Sequence, residues 1–384
     1  MKVWPKVALG KLFHVEKGRV GIMAATPGDF PLVTTGEEFA SHIEPHFSGD
    51  AVCIPLISAT GHGHASLKRL HHISGDFAVG SILCACVNRE PDRVMGRYAY
   101  YYLNACKDSV LVPLMQGTAN MSMKVADIAG VELPLPSLDE QRIIVARLDA
   151  LAEKTREVEA HLDVVERDSL RLLVTLATRR DLSEEQRLAL GWRPGTIADI
   201  AALALDPDPV KTDRSYPNVG ILSYARGLFG KVPIDGAATS AKTLYRIRSG
   251  QFIYSRLFAF EGAYALVSEG FDGCYVSNEF PTFDVNRDLA SSKFLMALFM
   301  TEADWQEMRA STKGVGDRRL RIQPEHILAR QIWIPPSQEL RRIDSMFDQH
   351  FALKAKHAAI RQANAALIPA TLERIFSAEV PAHA

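Results

Sequence analysis

The sequence predicts a mixed α/β, strand-rich fold. Two globular domains are separated by two long antiparallel coiled-coil helices, with an internal pseudo-two-fold duplication. Three observations lead there. Two stretches dense in Gly, Pro, β-branched and aromatic residues alternate with two stretches of helical periodicity. The first helical stretch carries the three-four spacing of a coiled-coil seam. The order of element types then repeats along the chain.

Composition sets the outer limits. The chain has 384 residues, of which 47% are hydrophobic and 23% charged, so wholesale disorder is excluded and there is length for several cores. Five cysteines are too few for a disulfide scaffold and suit a reducing compartment. No apolar run reaches the roughly 18 residues of a membrane span. Met1-Lys2-Val3-Trp4-Pro5 lacks the apolar core of a secretion signal, so a cytoplasmic location is expected. Basic and acidic residues number 44 and 45, which rules out coating a polyanion by bulk charge. Any nucleic-acid site must be local.

Residues 1–135 read as the first domain. Ala51-Val52-Cys53-Ile54-Pro55-Leu56-Ile57 and Phe77-Ala78-Val79 read as buried strands, and Arg97-Tyr98-Ala99-Tyr100-Tyr101-Tyr102-Leu103 as a short helix on them. Ser137-Leu138-Asp139-Glu140 is a capping box that opens a long helix over 136–185. Its predicted seam is Ile144, Leu148, Leu151, Val158, Leu162, Val165, Leu172 and Leu176, with Thr155 and Ser169 filling the gaps. The seam runs roughly 50 Å, wider than most single cores. A second strand-rich domain covers 190–333, and a second long helix covers 334–384. That helix carries the seam Met346, His350, Leu353, His357, Ile360, Asn364 and Leu367. Its polar members cost stability and fix register. Pro369 is expected to kink or end it.

The halves align. A shift of 199 residues puts Leu133-Pro134-Leu135-Pro136 on Ile332-Trp333-Ile334-Pro335, Glu140 on Glu339, Arg142 on Arg341 and Ile144 on Ile343. At the front, the residues from Trp4 resemble those from Trp192. Such a duplication most simply pairs its two helices with each other and leaves one domain at each end of a rod.

The usual enzyme handles are missing. There is no phosphate-binding Gly-rich loop, His-Glu-x-x-His, nucleophile elbow or dinucleotide fingerprint. The one candidate is the loop Gly61-His62-Gly63-His64-Ala65-Ser66 with Ser58 before it and Lys68-Arg69 after it. We read it first as a loop contacting phosphates and base edges, with metal or nucleophilic chemistry and a loop without a binding role as the alternatives. Cys84 and Cys86 suit a strand better than a zinc site. Two windows are basic: 237–260 holds Lys242, Arg246, Arg248 and Arg256 with no acid, and 309–321 holds Arg309, Lys313, Arg318, Arg319 and Arg321 against Asp317 alone. A charge run is by default a solvated face, but two in one domain favour an anion-binding groove.

The residues also resemble a known family. The order domain–helix–domain–helix is similar to the specificity subunit of type I restriction–modification enzymes. The most telling piece is the stretch Leu133-Pro134-Leu135-Pro136-Ser137-Leu138-Asp139-Glu140-Gln141-Arg142-Ile143-Ile144, which resembles the close of a target recognition domain and the start of a central conserved helix. Ser58-Ala59-Thr60-Gly61-His62-Gly63-His64-Ala65-Ser66 and Leu114-Met115-Gln116-Gly117-Thr118-Ala119-Asn120 resemble one class of recognition domain. Ile253-Tyr254-Ser255-Arg256-Leu257 and Val276-Ser277-Asn278-Glu279-Phe280 resemble another. Pro335-Pro336-Ser337-Gln338-Glu339-Leu340 departs from the usual Glu-Gln ending.

The resemblance implies a non-catalytic subunit. Each recognition domain would read half of a bipartite site in double-stranded DNA, and the paired helices would set the unread gap. The helices would also dock two copies of a DNA methyltransferase subunit, and a restriction or translocase subunit could join. S-adenosylmethionine and ATP are expected on those partners, and no cofactor or metal on this chain. The expected DNA-contacting residues are His62, His64, Ser66, Lys68, Arg69, Gln116, Asn120 and Lys124 in the first domain. In the second they are Lys242, Arg246, Tyr254, Arg256, Lys313, Arg318, Arg319 and Arg321. A structural or adaptor protein with globular ends and no DNA role fits the heptads equally, but not the basic windows.

Overall fold

The structure, a computed structural model, describes residues 4–21, 24–60, 64–118, 121–310 and 321–376. Contacts divide the chain into two compact units, Met1–Ala160 with Ala359–Ala384, and His161–Ala358. Each long helix therefore contributes one part to each unit.

The first unit is built on an antiparallel sheet ordered Phe13–Lys17, Leu83–Asn88, Ala51–Pro55, His71–Ile73. Alternation along the strands explains its two cores. Val52, Ile54, Cys84 and Cys86 face one cluster, while Ala51, Cys53, Leu83 and Ala85 face another. The first cluster receives the helix Gly96–Val110, which contributes Tyr98, Tyr102 and Leu103. The second is closed by a mixed sheet ordered Ala40–His42, Phe30–Val33, Asp76–Val79, Phe47–Ser48. Both predicted strands are present. The predicted short helix over Arg97 to Leu103 is twice that length, because its apolar face continues to Cys106.

In the second unit, a four-stranded sheet is ordered Ala201–Leu203, Thr282–Val285, Phe252–Tyr254, Tyr264–Leu266. A five-stranded sheet is ordered Pro207–Pro209, Thr243–Arg246, Tyr275–Val276, Ser215–Ile221, Leu228–Asp235. The main core is aromatic: Tyr264 stacks on Phe299 with ring centroids 4.6 Å apart, and Phe252 and Tyr254 stack on Tyr264. Each such pair adds about 0.5–1.5 kcal/mol beyond the area it buries.

The duplication predicted from a low-identity alignment is present in the backbone. Strand Lys6–Ala8 pairs antiparallel with Glu132–Pro134, and Arg193–Thr196 pairs antiparallel with Gln331–Ile334. The registers correspond: Val7 faces Leu133, and Gly195 faces Ile332. A short helix precedes the closing strand each time, Val125–Ala129 and then Pro324–Leu328, and a long helix follows, Leu138–Thr178 and then Ser337–Phe376. The start of each of these helices is displaced by the same 199 residues that align the sequences.

The two long helices pack together. Within the first unit, Val145 and Leu148 share a cluster with Leu372 and Phe376. Within the second, Leu173 and Ala177 share one with Ile343 and Phe347. Leu148 and Leu162 of the predicted seam are buried and Ile144, Leu151 and Val165 half-buried, but Val158 and Leu172 are exposed. On the second helix His350 and His357 are buried and Leu353 and Asn364 half-buried, whereas Ile360 and Leu367 face solvent. Phe347, Arg361 and Ile368 turn inward one residue after the predicted Met346, Ile360 and Leu367. Phe347, Arg361 and Ile368 keep heptad spacing from one another and three-four spacing from His350, His357 and Asn364, so the seam is regular and the predicted apolar row lies one residue early. Pro369 does not end the second helix, which continues to Phe376.

The middle of the pair is polar on both sides. In the second unit, His350 Nδ1 lies 3.1 Å from Ser169 Oγ, and His357 Nδ1 lies 2.9 Å from Glu166 Oε1. In the first unit, Glu159 accepts from Arg361 Nε at 3.1 Å and from Asn364 Nδ2 at 3.3 Å. Each buried polar residue of the second helix is thus matched by one on the first, which penalises a slipped register.

Candidate nucleic-acid interface

In the first unit, hydroxyl groups fasten the polar loop back on itself. Ser58 Oγ and Thr60 Oγ1 both donate to the His64 carbonyl, at 2.6 and 3.0 Å. Ser66 N donates to Ser58 Oγ at 3.0 Å, and Ser66 Oγ lies 3.0 Å from Thr60 Oγ1. Small hydroxylated residues suit this role because their short side chains reach nearby backbone groups. The segment 116–123 is laid beside the loop. Gln116 and Ser122 exchange backbone hydrogen bonds, Ser58 N donates to the Met121 carbonyl at 2.9 Å, and Met123 N to Leu56 at 2.9 Å.

Two segments that the sequence keeps about 50 positions apart thus form one surface. It carries His64, Ser66, Lys68 and Gln116, with Lys124 exposed at the start of the helix Val125–Ala129. Lys68 and Arg69 line a cleft of about 390 Å3 together with Ser58, Ile57 and Leu67. Arg69 is drawn partly inward by an ion pair to exposed Glu37 at 3.2 Å. His62 and Asn120 lie outside the described residues.

In the second unit, Arg256 of one basic window and Arg321 of the other share Glu279 as a partner. Arg256 donates its backbone N–H to the Glu279 carbonyl at 2.9 Å, and Arg321 Nε pairs with the Glu279 carboxylate at 3.1 Å. Ile322 N donates to the Arg256 carbonyl at 3.1 Å, and the Arg256 guanidinium binds the Gln323 side-chain oxygen. Two guanidinium groups are thus gathered at one place, with the carboxylates of Glu279 and Glu325 nearby. Arg256 Nε is buried and has no acceptor among the described residues. Lys313, Arg318 and Arg319 lie outside the described residues.

Tyr254 is corrected. It is wholly buried, stacked on Tyr264 and Phe283, with its hydroxyl donating to the Ile322 carbonyl at 2.9 Å. Burial pushes its phenol well above the ordinary tyrosine range, so the group stays a donor. It positions the strand that precedes Arg256 and has no surface to offer DNA.

Arg246 belongs to the five-stranded sheet and a different cluster. Its guanidinium donates to Tyr275 Oη at 3.3 Å. Tyr275 in turn donates to Asp208 at 2.8 Å, and Arg214 binds both. Lys242 is exposed on the same sheet. Arg214 was missed by sequence reading because it sits outside both basic windows, and only strand pairing brings it to Arg246. Among the described residues no group of three or more His, Cys, Asp or Glu is placed to hold a metal. Cys84 and Cys86 are buried in a strand.

Residues 1–167 match the family model for the type I restriction modification DNA specificity domain. Over that stretch the chain resembles a type I DNA specificity domain. A curated relative, the type I restriction enzyme EcoDI specificity subunit of Escherichia coli, is 22% identical over 394 residues, covering 91% of this chain and 81% of the relative. Two solved structures share the fold. The S subunit of the type I restriction–modification system from M. genitalium has a TM-score of 0.50 at 14% identity, over 99% of this chain and 97% of that one. A chain from a study of complex assembly and conformational transition of the type I R-M system has a TM-score of 0.55 at 17% identity, over 98% and 96%.

The matched specificity domain includes the polar loop, both sheets of the first unit and most of the first long helix. Its most telling residue is Gln141, which is completely buried. Its side-chain oxygen accepts from Met95 N at 2.9 Å, and its amide donates to the carbonyls of Arg93 and Pro136, each at 2.9 Å. Asp149, two turns on, binds Arg97 at 2.7 and 2.9 Å and accepts from Tyr101 at 2.5 Å. The helix Gly96–Val110 and the segment before it are thereby locked to the long helix through polar groups that only one placement satisfies. Among the described residues no helix is long and apolar enough to cross a membrane.

Proposed function

We propose that this chain is the DNA-recognition subunit of a type I restriction–modification complex, and that each of its two units reads one half of a bipartite duplex target. One observation carries the reading. The second unit repeats the framing elements of the matched domain in the same order and register, the opening strand displaced by 188 residues (Val7 to Gly195) and the short helix, closing strand and long helix by 199. A framework duplicated around two different sheet arrangements suits an asymmetric target with two dissimilar halves. The subunit is non-catalytic, so methyl transfer belongs to partners. Two methyltransferase copies, and a nuclease where one exists, would dock on the helix pair and bring S-adenosylmethionine and ATP.

The near-zero net charge supports shared rather than solitary DNA binding. In the first unit His64, Ser66, Lys68, Arg69, Gln116 and Lys124 are the proposed contacts, and in the second Arg246, Arg256 and Arg321 with exposed Lys242. His62, Asn120, Lys313, Arg318 and Arg319 stay in the proposal on sequence grounds alone. A purely structural or adaptor role is not favoured, since the first 167 residues match a DNA specificity domain.

The test is to co-express the chain with a cognate methyltransferase and map methylated bases across a genome. The wild type should yield one motif of two fixed halves around an unread gap. Arg321→Ala should relax or weaken one half only, at about 1–3 kcal/mol if the arginine reads a base. Methylation without a two-part motif, or an Arg321→Ala motif and efficiency equal to wild type, contradicts the assignment.

A further inference from the structure

The hairpin joining Ser215–Ile221 to Leu228–Asp235 in the second unit turns through a loop, 222–227, that the basic windows do not include. Two consecutive residues there, Tyr224 at φ 64° and Ala225 at φ 51°, adopt the left-handed conformation without being glycine. L side chains resist that conformation, so it persists only where surroundings enforce it, and such strain gathers at functional positions. The enforcement is visible. Tyr224 N donates to the Glu261 carbonyl and Ala225 N to the Gly262 carbonyl, both at 2.7 Å. Gly262 is itself left-handed at φ 77°, and a Cβ there would lie 2.4 Å from the Trp305 ring. Ala225 is the anchor, only 6% exposed in the main core.

Anchoring Ala225 turns its two neighbours outward. Tyr224 is 64% exposed, one edge of its ring resting on Trp305 at 6.0 Å. Arg226 is exposed, its guanidinium 5.8 Å from the Tyr224 ring and its Nε donating to the Ser223 carbonyl at 2.9 Å. Glu261, the nearest acid on the facing loop, is engaged by Ser223 Oγ at 3.1 Å. That facing loop also carries exposed Phe258 and begins at Arg256. An exposed aromatic ring with a cation against it, held out by the loop that Arg256 opens, matches what insertion at a base step and phosphate contact require.

Resting on the DNA-recognition reading above, we infer that Tyr224 is a stacking residue for a base step in the half-site read by the second unit, with Arg226 on the adjoining phosphate. The strained loop holds the ring out in advance of binding. Removing the ring and the strain together therefore separates function from stability.

The experiment uses the full chain in complex with its methyltransferase, on duplexes of the mapped target with 2-aminopurine at each half-site position in turn. Tyr224→Gly should melt no lower than wild type, because glycine adopts positive φ freely. It should bind the target roughly tenfold more weakly, and the wild-type change in 2-aminopurine fluorescence at one base step should disappear. Tyr224→Phe should behave as wild type, and Arg226→Ala should reduce the salt dependence of binding by about one phosphate contact. Wild-type affinity and fluorescence from Tyr224→Gly overturns the inference, as does a loss of methyltransferase binding in place of DNA binding. If the wild-type complex itself shows no target preference, the broader DNA-recognition reading fails instead.

Discussion

Gln141 sits where a polar side chain is expensive and makes all of its visible hydrogen bonds there. Replacing it by Leu keeps the volume but strands the Met95 N–H and the Arg93 and Pro136 carbonyls. At about 1–3 kcal/mol for a buried group left unsatisfied, we expect Gln141→Leu to destabilise the first unit by about 3 kcal/mol. Urea unfolding should show the midpoint falling without a change in slope. A loss below about 1 kcal/mol would mean that these hydrogen bonds do not hold the domain to its helix. The equivalent residue in the second half is Leu340, which packs against the apolar core of its unit. The departure from Glu-Gln was legible in the sequence, but not its cause. Tyr254 shows the same limit: a Tyr-Ser-Arg segment reads as polar surface until the fold covers the strand on both faces, with Tyr254 in one core and Ile253 in another.

The helix pair was predicted in kind and in length, and the polar half of its seam was legible as His350, His357 and Asn364. What the sequence could not supply was which of two adjacent rows faces inward, because the apolar row at Met346, Ile360 and Leu367 reads as the seam while the row one residue later carries it. That one-residue offset exposes Ile360 and brings in Arg361, whose partner Glu159 had no signal of its own. The buried histidine has a measurable consequence. Burial, helped by Lys354 and opposed by Glu166, holds the His350 pKa below the usual histidine range. The unfolded chain therefore takes up a proton that the folded one resists. Stability in the second unit should fall as pH drops below about 6.5. Melting temperature measured from pH 7.5 to 5.5 should drop more steeply for the wild type than for His350→Gln. Equal slopes would show that His350 titrates alike in both states.

At the scale of the whole chain, the duplication was readable because it is carried by few positions with strong physical roles: the closing strand, the Pro after it, and the capped start of a long helix. The interface was only half readable. Sequence windows found charge, but convergence of Arg256 with Arg321, of the loop at Ser58 with Gln116, and of Arg214 with Arg246 depends on sheet order, which periodicity does not encode. On the proposed function, the paired helices would act as the ruler between the two half-sites. The most direct test of that role is a matched insertion of one heptad after Ala160 and one after Ala358, followed by mapping of the methylated motif. Seven residues keep the seam in phase and add roughly 10.5 Å, or about three base pairs at 3.4 Å each. The account predicts both half-sites unchanged and the gap between them wider by about three base pairs. Efficiency should be lower, because roughly 100° of added rotation must be absorbed by twisting the DNA or the complex. An active variant that methylates the original motif with its original gap would contradict the account.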